Sequence, residues 1–114
     1  MNTCRRGALP LQAGLDEVER AIRNLAVEHA YAFSVAGERL FHRTTDAESK
    51  VQFDAEALAL LPGAVLTHNH PGGRSFSEAD VTFAMRVGVA EMRVVTARSR
   101  YILRPPTTDG RGCF

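Results

Sequence analysis

The sequence predicts one α/β domain in which helices flank a mixed sheet. Its 114 residues are near the common size of a single domain, and a chain of this length can bury one core without disulfides. Helical and strand-like periods alternate along the chain, and the stretch 64–96 has the pattern strand, helix, strand. Such a unit joins parallel strands through a right-handed crossover. We find no internal repeat and no sign of a second domain.

The first half of the chain predicts a helix followed by a β-hairpin. Residues 1–14 are interrupted by glycine and proline and show no sustained period, so we expect an irregular N-terminal lead. Between Leu15 and Leu25, apolar residues recur every three or four positions with charged residues between them, which indicates an amphipathic helix. Residues 30–35 and 39–42 are strand-like and are joined by a glycine-containing turn.

The second half predicts two helices and three strands. Asp54 can cap a short helix over 55–61, which Pro62-Gly63 ends because proline disfavours helical backbone before it. The elements expected next are a buried strand at 64–66, a helix from Ser77 to about Val89, and strands at 92–96 and 101–103. Residues 105–114 are expected to form a loose C-terminal tail. In open α/β sheets ligands gather at the carboxyl ends of the strands, so the residues after Leu66 are well placed for a site.

Composition narrows the classes of partner. The formal charge is +1, with 14 basic and 13 acidic residues, which gives no overall field to attract nucleic acid or an anionic membrane. Cys4 and Cys113 lie near opposite ends, a spacing that fits neither a zinc ribbon nor a disulfide framework. Two incidental thiols in a reducing cytoplasm are expected, and a bridge between the termini is the alternative. No apolar run approaches the ~20 residues that span a bilayer.

The segment 67–80 carries the residues suited to chemistry. His68 and His70 are two positions apart on extended chain, so both imidazoles project to one side and can reach one ion at ~2.0–2.1 Å. Pro71 keeps His70 out of the helical region, and the two glycines that follow allow the backbone to turn back sharply. This return brings Asp80, in the first turn of the next helix, beside the histidines as a third ligand.

Two neutral imidazoles and one carboxylate form the ligand set of a catalytic zinc site. Such a set leaves an open fourth position, whereas structural zinc sites are closed. Water bound in that position can have a pKa near ~7. A neighbouring carboxylate can then accept its proton and later deliver the proton to a leaving amine.

The same residues resemble the signature of the JAMM (MPN-type) zinc metallopeptidases, in which an early glutamate precedes His-x-His-Pro and then Ser-x-x-Asp. The segment His68-Asn69-His70-Pro71 especially resembles the corresponding motif of RadC-like bacterial proteins and of JAB-like peptidase domains associated with phage head morphogenesis. The resemblance covers residues 15–104 and implies a JAMM/MPN-like (cytidine-deaminase-like) three-layer fold. Six residues separate His70 from Ser77, one fewer than in the commoner family pattern.

The resemblance also implies roles for individual residues. His68, His70 and Asp80 would hold zinc, and Ser77 would steady the oxyanion of the tetrahedral intermediate. The general base would be Glu28, which directly precedes the first predicted strand, as the family's glutamate opens its strand. The activity implied is hydrolysis of a peptide or isopeptide amide. Implied substrates are a ubiquitin-like tail or a polyprotein junction of a phage or toxin system.

Several alternatives remain open from the sequence. Glu38 is the second candidate for the base, although a carboxylate in a hairpin turn is usually solvated. The pair Ser77 and Asp80 is also a common helix start, with the serine accepting a backbone N–H. His29 and His42 are expected to be surface residues. A non-catalytic MPN-like scaffold is the competing function, and the intact ligand set argues against it.

Overall fold

The structure is a computed structural model that describes residues 8–45 and 51–106. Within these residues the chain forms three helices and five strands. In chain order they are α1 (Ala8–Ile22), β1 (His29–Phe33), β2 (Arg39–Thr44), α2 (Ala55–Leu60), β3 (Val65–Asn69), α3 (Glu78–Val87), β4 (Glu91–Val95) and β5 (Arg100–Leu103).

The strands form one mixed sheet in the order β2-β1-β3-β4-β5. β3 and β4 are parallel, and the other neighbouring pairs are antiparallel. The predicted hairpin is therefore confirmed as β1 and β2, and the predicted crossover as β3-α3-β4. The described chain is a small mixed α/β domain with β3 at the centre of its sheet.

Helices pack on both faces of the sheet because neighbouring strand residues point to opposite sides. On one face, Phe33 and Val65 pack against apolar residues of α1. On the other face, Ala32 and Leu66 belong to a larger apolar cluster that includes buried alanines of α2 and α3. None of the described helices is both long enough and apolar enough to cross a membrane.

The start of α1 corrects one prediction. The helix begins at Ala8 rather than at Leu15, so the expected irregular lead is wrong for residues 8–14. Proline is tolerated in a first helical turn, where its missing N–H has no intrahelical acceptor. Gly14 lies inside the helix. A Cβ at this position would come within 2.8 Å of Cε2 of Phe33. The glycine is required by close packing of α1 on the sheet.

Both chain ends lie outside the described part of the structure. Residues 1–7 and 107–114 are not described, and they include both cysteines, Cys4 and Cys113. Of the predicted tail 105–114, only residues 105 and 106 are described, and they have no regular secondary structure. The proposed division of the chain into a lead, a domain and a tail stays a prediction.

A buried charge network ties α1 to the centre of the sheet. Glu19 of α1 is 1% exposed, and its carboxylate accepts hydrogen bonds from Arg93 Nε of β4 (2.7 Å) and Thr67 Oγ1 of β3 (2.8 Å). Arg93 also donates through Nη1 to Glu91 (2.9 Å). The network fixes α1 against the face of β3 opposite to His68.

Candidate metal centre

The two histidines lie at the carboxyl end of β3, as the crossover predicts. His68 belongs to β3 and is flanked in the sheet by Ala30 of β1 and Val94 of β4. His70 follows the strand, and its backbone N–H donates to the carbonyl oxygen of Val95 (3.0 Å). Because extended pairing continues through His70, both imidazoles project from the same side of the strand. Their Nε2 atoms are 3.1 Å apart.

A tight turn then returns the chain towards the histidines. The N–H of Gly73 donates to the carbonyl oxygen of His70 (3.0 Å). Gly73 has a φ of 80°, in the left-handed region where glycine meets no Cβ penalty. The glycine turn that the sequence predicts is therefore present, and it leads the backbone to the start of α3.

A capping box at the start of α3 orients Asp80. The hydroxyl oxygen of Ser77 accepts from the backbone N–H of Asp80 (3.1 Å), and the N–H of Ser77 donates to Asp80 Oδ2 (2.9 Å). The helix-start role that the sequence left open for these residues is therefore observed. It also serves the site, since a carboxylate held by its own helix terminus has little freedom to rotate away.

Three donor groups converge in a cluster formed by His68, His70 and Asp80. Asp80 Oδ2 is 3.3 Å from His70 Nε2, and Asp80 Oδ1 is 3.7 Å from His68 Nε2. One ligand atom from each residue lies within 4.8 Å of the others. Donors at ~2.0–2.1 Å from a tetrahedral ion are ~3.3 Å apart, so these separations fit a single metal ion. The cluster could hold a metal, although its geometry is not specific to zinc.

Hydrogen bonds around the cluster set the tautomer of His70. Its Nδ1 is 3.0 Å from the carbonyl oxygens of both Arg74 and Ser75, and carbonyl oxygens only accept. Nδ1 must therefore carry a proton, which makes Nε2 the ring nitrogen that faces the cluster and is available to a metal. His68 differs, because its Nδ1 is buried and is the one such side-chain atom in the described residues without a hydrogen-bond partner.

The cluster is electrostatically suited to a cation. Burial opposes ionisation of Asp80, yet hydrogen bonds from His68 and His70 hold the pKa of this carboxyl well below its usual range. The hydrogen bond to Asp80 raises the pKa of His70 against the effect of burial, with a smaller contribution from the charge of Glu28. A metal ion would therefore displace a proton shared between His70 and Asp80.

Of the two candidate bases, the structure brings Glu28 to the cluster. Glu28 is half-buried directly before β1, and it lines one cavity together with His68 and Asp80. It also lines an adjoining cleft with His70 and Ser77. Glu28 is therefore common to two linings that between them include all five residues sought from the sequence.

Glu38 lies elsewhere. It is exposed in the turn between β1 and β2, where its backbone N–H donates to Ser34 Oγ (3.1 Å). This turn follows the opposite end of β1 from Glu28, roughly 15 Å away at ~3.3 Å per strand residue. Its position is that of a solvated hairpin carboxylate.

Asn69 is a positioning residue that the sequence reading missed. Its side chain is fully buried on the face of β3 opposite to His68. Oδ1 accepts from the backbone N–H of His29 (2.6 Å), and Nδ2 donates to the carbonyl oxygen of Val27 (3.0 Å). These two bonds hold the residues on either side of Glu28. The only signal in the sequence is that side chains alternate between the two faces of β3. This alternation places the polar Asn69 between His68 and His70 but on the opposite face.

The other two histidines form a separate contact on the β1-β2 hairpin. His29 Nδ1 is 3.0 Å from His42 Nε2, and His42 stacks on the ring of Tyr31 with centroids 4.2 Å apart. His42 is exposed, as predicted, and His29 is half-buried. In the described residues, only the cluster of His68, His70 and Asp80 gathers enough ligand types for a metal.

Comparisons with known proteins found no matching family model, no matching curated protein and no matching solved structure. The site itself is a candidate metal centre with two histidines, one aspartate and a neighbouring glutamate.

Proposed function

We propose that the chain is a zinc-dependent hydrolase of the JAMM/MPN type that cleaves a peptide or isopeptide amide. The observation that carries the proposal is that Glu28 borders the same cavity as the donor cluster of His68, His70 and Asp80. Three protein ligands with a carboxylate beside them are the requirements of a metal-assisted hydrolysis. The JAMM/MPN-like fold is part of the proposal, and a mixed sheet with helices on both faces is compatible with it.

Each residue then has a chemical task. Bound zinc would supply a Lewis acid that polarises the substrate carbonyl and lowers the pKa of water. Glu28 accepts the proton of the attacking water and passes it to the departing amine. Ser77, which lines the adjoining cleft together with His70, stabilises the developing oxyanion. Asn69 keeps the backbone around Glu28 in place, so that the carboxylate is held beside the cluster.

The second candidate function is a non-catalytic MPN-like scaffold. The observation in its favour is the complete capping box of Ser77 and Asp80, which gives both residues a structural task without any metal. A scaffold, however, has no use for two converging imidazoles beside a half-buried glutamate. Metal content separates the two functions before any substrate is known.

We expect about one zinc ion per chain after purification without added metal at neutral pH. His68→Ala and Asp80→Ala should each abolish it, because two remaining ligands hold zinc weakly. His42→Ala is the matched control, since this histidine lies outside the cluster and is exposed. The measurement is elemental analysis of the folded proteins, which also identifies any other metal.

Two results would contradict this expectation. A wild-type protein that cannot be loaded with zinc at neutral pH would remove the hydrolase proposal. Full metal content in both His68→Ala and Asp80→Ala would show that the ligand assignment is wrong.

Ser77→Ala should lower the rate of hydrolysis more than it lowers stability. Loss of an oxyanion donor costs ~3 kcal/mol of transition-state energy, whereas loss of an N-cap costs ~1 kcal/mol of folding free energy. The measurements are the rate per zinc-loaded molecule and the free energy of unfolding. Thr82→Ala, exposed on the same helix, is the control. A reduced stability with an unchanged rate would leave Ser77 with its capping role alone.

A further inference from the structure

An apolar cavity of about 280 Å³ adjoins the donor cluster. Its polar side is formed by the cluster residues His68 and Asp80 together with Glu28. Its apolar side is formed by Phe53, Leu58, Leu66, Phe83 and Met92. The cavity thus has reactive groups on one side and an apolar wall on the other.

Two residues of the apolar wall lie on the elements that carry the ligands, and a third lies on the neighbouring strand. Leu66 lies two positions before His68 on β3 and therefore shares its face. Phe83 lies three positions after Asp80 on α3, so the two side chains project from neighbouring places on the helix. Met92 of β4 pairs with Leu66 in the parallel ladder. The distance from these three wall residues to the cluster is therefore fixed by regular secondary structure.

Aromatic contacts keep this wall from collapsing into the cavity. The rings of Phe53 and Phe83 are stacked with centroids 5.3 Å apart. Phe53 also meets Phe41 edge to face, with centroids 5.9 Å apart. Offset-stacked and edge-to-face pairs are favourable geometries for aromatic rings. The cavity is therefore a formed feature of the fold.

We propose that this cavity binds an apolar side chain, branched aliphatic or aromatic, of the substrate residue next to the scissile amide. The proposal rests on the proposed hydrolase function, because that function places the reacting amide at His68 and Asp80. A volume just below the ~300–1,000 Å³ of ligand pockets suits one side chain rather than a large ligand. An anionic side chain would be disfavoured, since the apolar wall offers it no partner and the carboxylates of Glu28 and Asp80 border the same cavity.

The chain contains its own reporter for this cavity. Of its three methionines, Met92 lines the cavity, Met85 is 54% exposed on α3, and Met1 lies outside the described residues. Methyl-¹³C labelling of methionine therefore gives one signal inside the cavity and one control signal on the same domain. Met92→Leu assigns the first signal.

The experiment titrates N-acetyl-leucine amide and N-acetyl-glycine amide into the labelled protein. We expect the Met92 methyl signal to shift saturably with the leucine probe, with a Kd about tenfold to hundredfold lower than for the glycine probe. The Met85 signal should stay in place. Equal Kd values for the two probes, or a shift of Met92 with protein concentration alone, would overturn the proposal; the latter would mean that a second copy of the chain occupies the cavity.

A filling variant tests the location. Ala79 is exposed and lines the cavity, so Ala79→Phe should occupy the cavity without disturbing the core and should weaken leucine-probe binding at least tenfold. Thr82→Phe places the same ring on α3 at an exposed position outside the cavity lining and should bind the probe normally. An unchanged Kd in Ala79→Phe would overturn the proposed location.

These readouts separate the cavity from the hydrolase function, because neither needs turnover or bound metal. If the protein binds no zinc and hydrolyses no amide, but the Met92 signal still shifts with the leucine probe, the cavity proposal stands and the hydrolase proposal fails. If the protein binds zinc and hydrolyses amides, but the Met92 signal does not shift, only the cavity proposal fails.

Discussion

Glu28→Gln should remove nearly all amide hydrolysis while zinc content and stability stay unchanged. Glutamine keeps the size and most hydrogen bonding of glutamate, yet it cannot take up the proton of the attacking water. General acid–base catalysis contributes ~10²–10⁴-fold, and we expect a loss of that order. The measurement is the single-turnover rate on peptide and isopeptide amides, including ubiquitin-like tails, with zinc content and unfolding free energy recorded for the same samples.

Glu38→Gln is the matched control for this loss. It makes the same chemical change at the exposed hairpin turn, where the carboxylate lies at the far end of β1 from the cluster. The control should hydrolyse at the wild-type rate. Activity that survives in Glu28→Gln and vanishes in Glu38→Gln would reverse the assignment of the base. Survival in both would remove the general-base mechanism.

Among the substitutions proposed here, Glu19→Ala should lower the free energy of unfolding the most. Glu19 is 1% exposed and receives two hydrogen bonds from Arg93, which is itself 3% exposed. Removal of one partner of a buried ion pair leaves the other charge without full compensation and costs ~3–5 kcal/mol. The remaining bond from Arg93 to Glu91 favours the lower part of that range. Urea unfolding of the two proteins measures the difference.

Glu17→Ala is the control for the same helix. Glu17 is exposed on α1, and surface substitutions of this kind change the free energy of unfolding by ~0.5 kcal/mol or less. A cost below ~1 kcal/mol for Glu19→Ala would mean that water reaches Arg93 and replaces the lost carboxylate. In that case the network would not fix α1 on the sheet.

The parts of the fold that local patterns encode were predictable from the sequence. The hairpin follows from two strand-like runs and a glycine turn, and the crossover follows from strand, helix and strand in succession. The donor cluster was predictable for a related reason: His68, His70 and Asp80 come from one strand, one turn and one helix start that are consecutive in the chain. Their meeting depends on short-range geometry alone.

What the sequence did not reveal depends on contacts between distant segments. Gly14 resembles a helix breaker until the ring of Phe33 is seen against it. Glu19 resembles any other charged residue of an amphipathic helix, and only its partner Arg93 on β4 explains its burial. The role of Asn69 could not be predicted for the same reason, since its partners are Val27 in the loop before β1 and His29 at the start of β1.

Side chains of β3 point alternately to the two faces of the sheet, so the site can form only when β3 pairs with its neighbours in the correct register. Leu66 and His68 face the cavity, whereas Thr67 and Asn69 face α1 and bond to Glu19 and to the loop around Glu28. A slip of one residue exchanges the two faces of a strand. It would direct the imidazole of His68 towards the carboxylate of Glu19 and at the same time release the loop that carries the base. Because both faces of β3 are buried, the aligned register is strongly favoured, and the positions of His68 and of the loop around Glu28 depend on that one alignment together.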